Sequence, residues 1–374
     1  MSRTDQAASW LPKIAEAGLS GDQRKLELVV VRAIRSLKGE MPEVCATLGT
    51  LLSEHSTNPN GLRWRASGPP PVDSEEGLSL VRIDSVEDTP PPVIPAEISR
   101  RVGQFIRERT KSQRLIEEGF LPPGAILLTG LPGTGKTMLS RWIARELSLP
   151  FVSLDLATSI SSFLGKTGFN LRRTLDYARS QPCLLLLDEF DAIAKRRDDA
   201  TEIGELKRIV NVLLKELEEW PLQSVLVAAT NHPELLDRAI ARRFDLVLDL
   251  PLPRETERAE ILKRAARRFG DSISEPMLRA LACALEGASG SDLDSLMNAA
   301  VRHHLATGDD IVRSVAEEFR MRLGERLNRQ KVGDLLRSMQ ASVNGSFTVR
   351  ELAELFGKSA STIQHHLKKE AQHG

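Results

Sequence analysis

The chain has 374 residues and sets 51 Lys and Arg against 51 Asp and Glu, a formal net charge of +0. That length accommodates two or three domains, and the balance leaves no electrostatic ground for the chain as a whole to seek nucleic acid or a membrane. Its three cysteines, Cys45, Cys183 and Cys283, lie far apart with no CxxC pair, which argues against a zinc site or a disulfide framework and fits a reducing compartment.

In chain order, the first residues carry no basic-then-apolar leader, and no apolar run approaches the ~20 residues of a membrane helix. A soluble, cytoplasmic protein with no membrane span is expected. Residues 1–55 predict a helical N-terminal domain. Leu26, Val29, Val30, Ala33 and Leu37 recur at helical spacing over 22–37, with shorter candidates at 10–17 and 42–52. The unit reads either as a helical cap without chemistry or as a recognition module. Residues 56–96 change character: Asn58-Pro59-Asn60-Gly61 and the prolines at 69–71 and 90–92 are turn and polyproline chemistry. This stretch reads as a Pro-rich linker with a possible short strand at 78–83. One helix is predicted over 96–118.

Strands and helices then alternate. Apolar runs at 125–128, 151–154, 183–187, 224–228 and 247–250 read as buried strands, and helical patterns fall at 138–147, 171–180 and 203–217. The alternation predicts an α/β fold, a doubly wound parallel sheet covered by helices, over 97–253. The first strand leads into Gly130-Leu131-Pro132-Gly133-Thr134-Gly135-Lys136-Thr137 and then a helix. In that context GxxxxGK[ST] is a phosphate loop. Its glycines let backbone N–H groups face anionic oxygens, and the helix N-terminus adds partial positive charge. Lys136 would neutralise the β- and γ-phosphates of ATP, Thr137 would offer its hydroxyl to Mg²⁺, and Gly130, Pro132, Gly133, Thr134, Gly135 and Met138 would complete the nucleotide contacts.

The strand at 183–187 carries four consecutive leucines and delivers Asp188 and Glu189 at its carboxyl end. Asp188 would hold Mg²⁺ and Glu189 would polarise the attacking water, the two functions that phosphoanhydride hydrolysis requires. Asn231, at the tip of the next strand, is an uncharged donor and acceptor suited to the same water and the γ-phosphate. Arg242 and Arg243 stand too far along the chain to be loop residues of that pocket. They read as arginine fingers reaching the nucleotide of a neighbouring subunit, or as an ordinary surface pair.

Together these motifs resemble the AAA-family ATPases in the narrow sense, over residues from about 100 to 310. The family's second region of homology has the form TN…LD.A…R..RFD. Here the two arginines are adjacent, a shorter version similar to the katanin- and spastin-like branch. The resemblance implies a homo-oligomer, a hexameric ring, with ATP at subunit interfaces and arginines acting in trans. Gly287-Ala288-Ser289-Gly290-Ser291-Asp292-Leu293 resembles a segment of the family's all-helical lid, expected over 254–323. The resemblance implies that Gly290 and Ser291 approach the adenine; Ile261 would do the same or serve as plain core. Ser289 suits an N-cap, and Asp292 falls in the first turn, where the dipole favours an acid. Phe163-Leu164-Gly165 stands where the family has a pore loop that grips polypeptide. Aromatics make up 4% of the chain, so one in a polar loop reads as such a grip or as a buried anchor. Lys195-Arg196-Arg197 would line a second tier of the pore or remain a solvated charge run.

The C-terminal residues 324–374 have no counterpart in that pattern. Phe347 to Leu367 resembles a helix-turn-helix, with Ala353 at the helix crossing, Gly357 at the turn, Ser359 as cap and Ile363 packing inward. Ser361, Thr362, Gln364 and His365 would face outward, with Lys368 and Lys369 at phosphates. Lys358 and His366 stand where that motif is usually apolar. Residues 311–374 carry 11 basic and 7 acidic residues, a mild excess, so DNA contact and protein docking both stay open.

The leading reading is an ATP-hydrolysing ring that remodels, unfolds or disassembles a polypeptide substrate by threading it through a central pore. The alternatives are a DNA-associated ATPase switch, similar in layout to the initiator DnaA, and an unfoldase feeding a separately encoded protease or effector. The sequence carries no HExxH zinc signature.

Overall fold

A computed structural model describes residues 9–20, 23–56, 81–156, 167–192, 220–236, 238–267, 273–323 and 349–368. The chain forms two compact units: Met1–Pro92, Ala96–Gly130 and Lys136–Leu250 make the first, and Val93–Pro95, Leu131–Gly135 and Pro251–Gly374 the second.

The first unit is built on a six-stranded sheet. Its strands are β1 (Arg82–Asp84), β2 (Ala125–Thr129), β3 (Phe151–Asp155), β4 (Leu184–Asp188), β5 (Val225–Thr230) and β6 (Leu246–Asp249), in the spatial order β1-β3-β4-β5-β2-β6. All pairings are parallel except β1 with β3, where Arg82 lies opposite Ser153 and Asp84 opposite Phe151. Leu184, Leu185, Leu186 and Leu187 are each 0% exposed. A strand covered on both faces has no use for alternation, and each such leucine contributes about 1.5–3 kcal/mol of burial. The strand order places β2 between β5 and β6, so the loop after β2 opens at the carboxyl edge where the crossovers diverge, the usual ligand position in such sheets.

The short strand read at 78–83 within the linker falls at β1, Arg82–Asp84, which joins the sheet by its edge. One element differs from the sequence reading. The helix expected over 96–118 is two, α4 (Ala96–Thr110) and α5 (Ser112–Glu117), broken where Lys111 leaves helical geometry at φ −102°, ψ 24°.

The N-terminal helices α1 (Leu11–Leu19), α2 (Gln23–Leu37) and α3 (Pro42–Ser56) precede this sheet. Val30 and Leu37 of the predicted face pack with Cys45 and Leu52, joined by Val31 and Ile34 rather than by Val29, and also with Ile116 of α5 and with Leu222. Arg35 Nε donates to the Gly119 carbonyl at 2.9 Å and Lys38 Nζ to that of Glu117 at 3.3 Å. The three helices therefore share a core with the segment that leads into the sheet.

The second unit is helical: α9 (Glu255–Ala266), α10 (Glu275–Ala284), α11 (Gly290–Thr307) and α12 (Ile311–Leu323), numbered after α6 (Lys136–Glu146), α7 (Thr167–Arg179) and α8 (Arg238–Ala241) of the first. Leu262, Leu281, Leu296 and Phe319 lie at its centre. The described tail helices α13 (Val349–Phe356) and α14 (Ala360–Lys368) belong to the same core, because Leu352, Leu355, Phe356 and Ile363 are buried in it. Phe356 meets Phe319 edge-on, with centroids 6.0 Å apart, and Arg320 donates to the Glu354 carbonyl at 2.7 Å. Gly357 turns between the two helices at φ 60°, where an L side chain is strained, and Ser359 caps α14 by accepting from the Thr362 N–H at 3.1 Å.

Candidate active site

Strand β2 is anchored at both ends before the glycine loop begins. Asp245 Oδ2 accepts from the Gly124 and Ala125 N–H groups at 2.7 and 2.9 Å, and Thr129 donates to Asp249 at 2.9 Å. Lys136 opens α6 and is 7% exposed. Its ammonium donates to the Gly130 carbonyl at 2.7 Å and to Asn231 Oδ1 at 2.6 Å. Burial lowers its pKa, and the negative charges of Asp188, Glu189 and Asp191 oppose that shift. Beside it, Thr137 donates to Asp188 Oδ2 at 3.2 Å.

Glu189 follows β4 with φ 53°. A non-glycine residue held there stores about 1–3 kcal/mol, a pattern concentrated at functional sites. Its N–H donates to Asp188 Oδ1 at 3.0 Å, and its own Oε1 accepts from Asn231 Nδ2 at 3.4 Å. Asn231 thus faces a cation that only donates and a carboxylate that only accepts. A primary amide serves both at once, which aspartate could not do. The structure therefore gathers Lys136, Thr137, Asp188, Glu189 and Asn231 into one cluster. Thr137 and Asp188 bring two hard oxygens together, a donor set that fits Mg²⁺.

A cavity of about 510 Å³ opens beside this cluster. Thr137, Met138 and Arg141 of α6 form one wall, and Ser85, Asp88, Thr89 and Pro90 the other. Arg141 pairs with Asp84 at 2.5 Å and Arg145 donates to the Thr89 carbonyl at 2.6 Å, fastening this strap along α6. The sequence reading placed the strap in a linker, and no local pattern there announces its packing. Arg242, after α8, is exposed and Arg243 is half-buried. Phe163, Leu164 and Gly165, with Lys195, Arg196 and Arg197, lie outside the described residues.

In the second unit the loop Leu131–Gly135 belongs with the lid. Within it, Thr134 donates to the Leu131 carbonyl at 2.9 Å, and the Gly133 carbonyl accepts from the Ser291 N–H at 3.2 Å. Gly133 has φ 77°, and a Cβ there would stand 2.2 Å from Ser291 Oγ and 2.5 Å from Ser289 Oγ, so no side chain fits. A Cβ on Gly290 would meet the Gly133 carbonyl at 3.3 Å and Ile261 Cδ1 at 3.8 Å. Gly290 and Ser291 therefore lie against the glycine loop. Ser289 and Asp292 form a reciprocal cap on α11, in which each accepts the other's backbone N–H, at 3.2 and 2.9 Å.

Residues 126–252 match the family model described as "ATPase family associated with various cellular activities (AAA)". An AAA family ATPase of Sinorhizobium fredii, y4kL, is 35% identical over 227 residues, covering 59% of this chain and 68% of that protein. The chain belongs to the AAA family of ATPases. This ATPase hydrolyses ATP. It is also similar to an ATP-dependent zinc metalloprotease FtsH of Acidothermus cellulolyticus, 37% identical over 61% of this chain and 34% of the relative. A proteasome-activating nucleotidase of Methanothermobacter thermautotrophicus is 34% identical over 53% of this chain and 50% of the relative. The ATPase thus spans about a third of the one and half of the other. Among the described residues no helix is long and apolar enough to cross a membrane.

Proposed function

We propose that this ATPase is a homo-oligomeric ring, a hexamer, that spends ATP hydrolysis on unfolding or remodelling a polypeptide. The observation that carries the reading is Asn231, which links Lys136 to Glu189 at the tips of adjacent strands. Lys136 leaves the Gly130 carbonyl for the β- and γ-phosphates, and the N–H groups of the glycine loop take the remaining oxygens. Thr137 and Asp188 would hold Mg²⁺, which when bound would spread the charge of the phosphate oxygens. Glu189 takes a proton from the attacking water while Asn231 keeps that water facing the γ-phosphate. The strap cavity beside Met138 has room for part of a nucleoside. Arg242 or Arg243 from a neighbouring subunit stabilises the charge that develops at the γ-phosphate. Phe163-Leu164-Gly165 grips the substrate in the pore.

The relatives named as a protease and a proteasome-activating nucleotidase support a polypeptide as the substrate, delivered to a separately encoded protease or released. The tail's apolar residues Leu352, Leu355, Phe356 and Ile363 are spent on the lid core, which favours an extension of the lid over a free reader of DNA. The experiment is the ATPase rate with an unfolded polypeptide or duplex DNA added. The expected result is stimulation by the polypeptide that Phe163→Ala removes. Stimulation by duplex DNA alone would overturn the reading and make the tail a nucleic-acid sensor.

A further inference from the structure

The acidic turn after β4 is fastened to the end of β5 by two bonds that the sequence motifs do not mention. The Phe190 N–H donates to the Ala229 carbonyl at 2.8 Å, and the Thr230 hydroxyl donates to Asp191 Oδ1 at 2.9 Å. The same hydroxyl oxygen accepts from the His232 N–H at 3.0 Å. Thr230 and Asp191 are each 1% exposed. A buried hydroxyl that donates once and accepts once has its geometry fixed from both sides.

The position of this clasp decides its meaning. Glu189 lies just before Phe190 on one side, and Asn231 lies between Thr230 and His232 on the other. The two bonds therefore set the spacing between the residue that takes the proton and the residue that holds the water. The donor from Asn231 to Glu189 is long, at 3.4 Å, so little in that contact itself would hold the pair in register. We propose that Asp191 and Thr230 are positioning residues for hydrolysis: they hold Asn231 and Glu189 at working distance without touching nucleotide.

This inference rests on the assignment of Asn231 in the proposed mechanism, and the test separates the two. Thr230→Val keeps the shape and removes the hydroxyl. It should lower kcat at least tenfold, since a misplacement of about an ångström costs on the order of 100-fold, while affinity for a fluorescent ATP analogue stays within about threefold. Thr230→Ser should restore the rate. In a double-mutant cycle, Thr230→Val should add less than about twofold to Asn231→Ala, because the clasp acts through that residue. A folded Thr230→Val enzyme with wild-type kcat would overturn the proposal. So would a parallel loss of kcat, nucleotide affinity and thermal midpoint, which marks a merely structural bond. Wild-type activity in Asn231→Ala would instead remove the assignment beneath it.

Discussion

Lys136 sits in a tension that its neighbours balance. Burial disfavours its charge and lowers its pKa, while Asp188, Glu189 and Asp191 oppose that shift. Glu189 answers a different demand, because its left-handed backbone turns a carboxylate off the strand line toward Asn231. Replacing it with glutamine leaves the shape and removes the proton acceptor. Glu189→Gln should retain ATP affinity within a few-fold while single-turnover hydrolysis falls about 10²–10⁴-fold, the usual contribution of a general base. A rate within twofold of wild type would remove Glu189 from the role. Lys136, Thr137, Asp188, Glu189 and Asn231 were legible in the sequence because each stands at a strand end or helix start that apolar runs mark. The Asp191–Thr230 bond was not, since its partners lie 39 positions apart and nothing local links them.

Elements were read well where periodicity speaks and poorly where packing decides. The four-leucine strand and the existence of α2 follow from local pattern, whereas the buried face of α2 takes in Val31 and Ile34 and leaves out the expected Val29. The break at Lys111, and the recruitment of Arg82–Asp84 to a sheet edge, depend on what lies alongside. The start of α11 shows a local signal with a measurable cost. Hydrogen bonds from the Ser289 hydroxyl and N–H lower the pKa of Asp292. A carboxylate with a depressed folded pKa contributes stability above its ordinary pKa of about 3.9, and that contribution is lost as pH falls through the folded value. Ser289→Ala should cost about 1 kcal/mol at neutral pH, as loss of an N-cap does. Denaturant melts between neutral and strongly acidic pH should show the gap to wild type narrowing as pH drops below about 4. A gap that stays constant over that range would mean the hydroxyl acts through its bond to the Asp292 N–H alone and not through the carboxylate.

At the scale of the molecule, non-local packing decides what composition cannot reveal. Ile34 and Ile116 share a core although they are remote in sequence, and Phe319 and Phe356 join the tail to the lid. A truncation after α12 would therefore strip the lid of buried side chains as well as removing the tail. On the proposed reading, each hydrolytic cluster needs an arginine from its neighbour. Arg242 is exposed on the turn after α8, as such a donor must be. The most direct measurement mixes two variants, each expected to be inactive alone, in equal amounts: Glu189→Gln and the double variant Arg242→Ala with Arg243→Ala. A subunit with intact Glu189 beside one with both arginines intact is complete, so random mixing should restore about a quarter of the wild-type ATPase rate. Mixed rings with no activity above either variant alone would contradict an arginine supplied in trans.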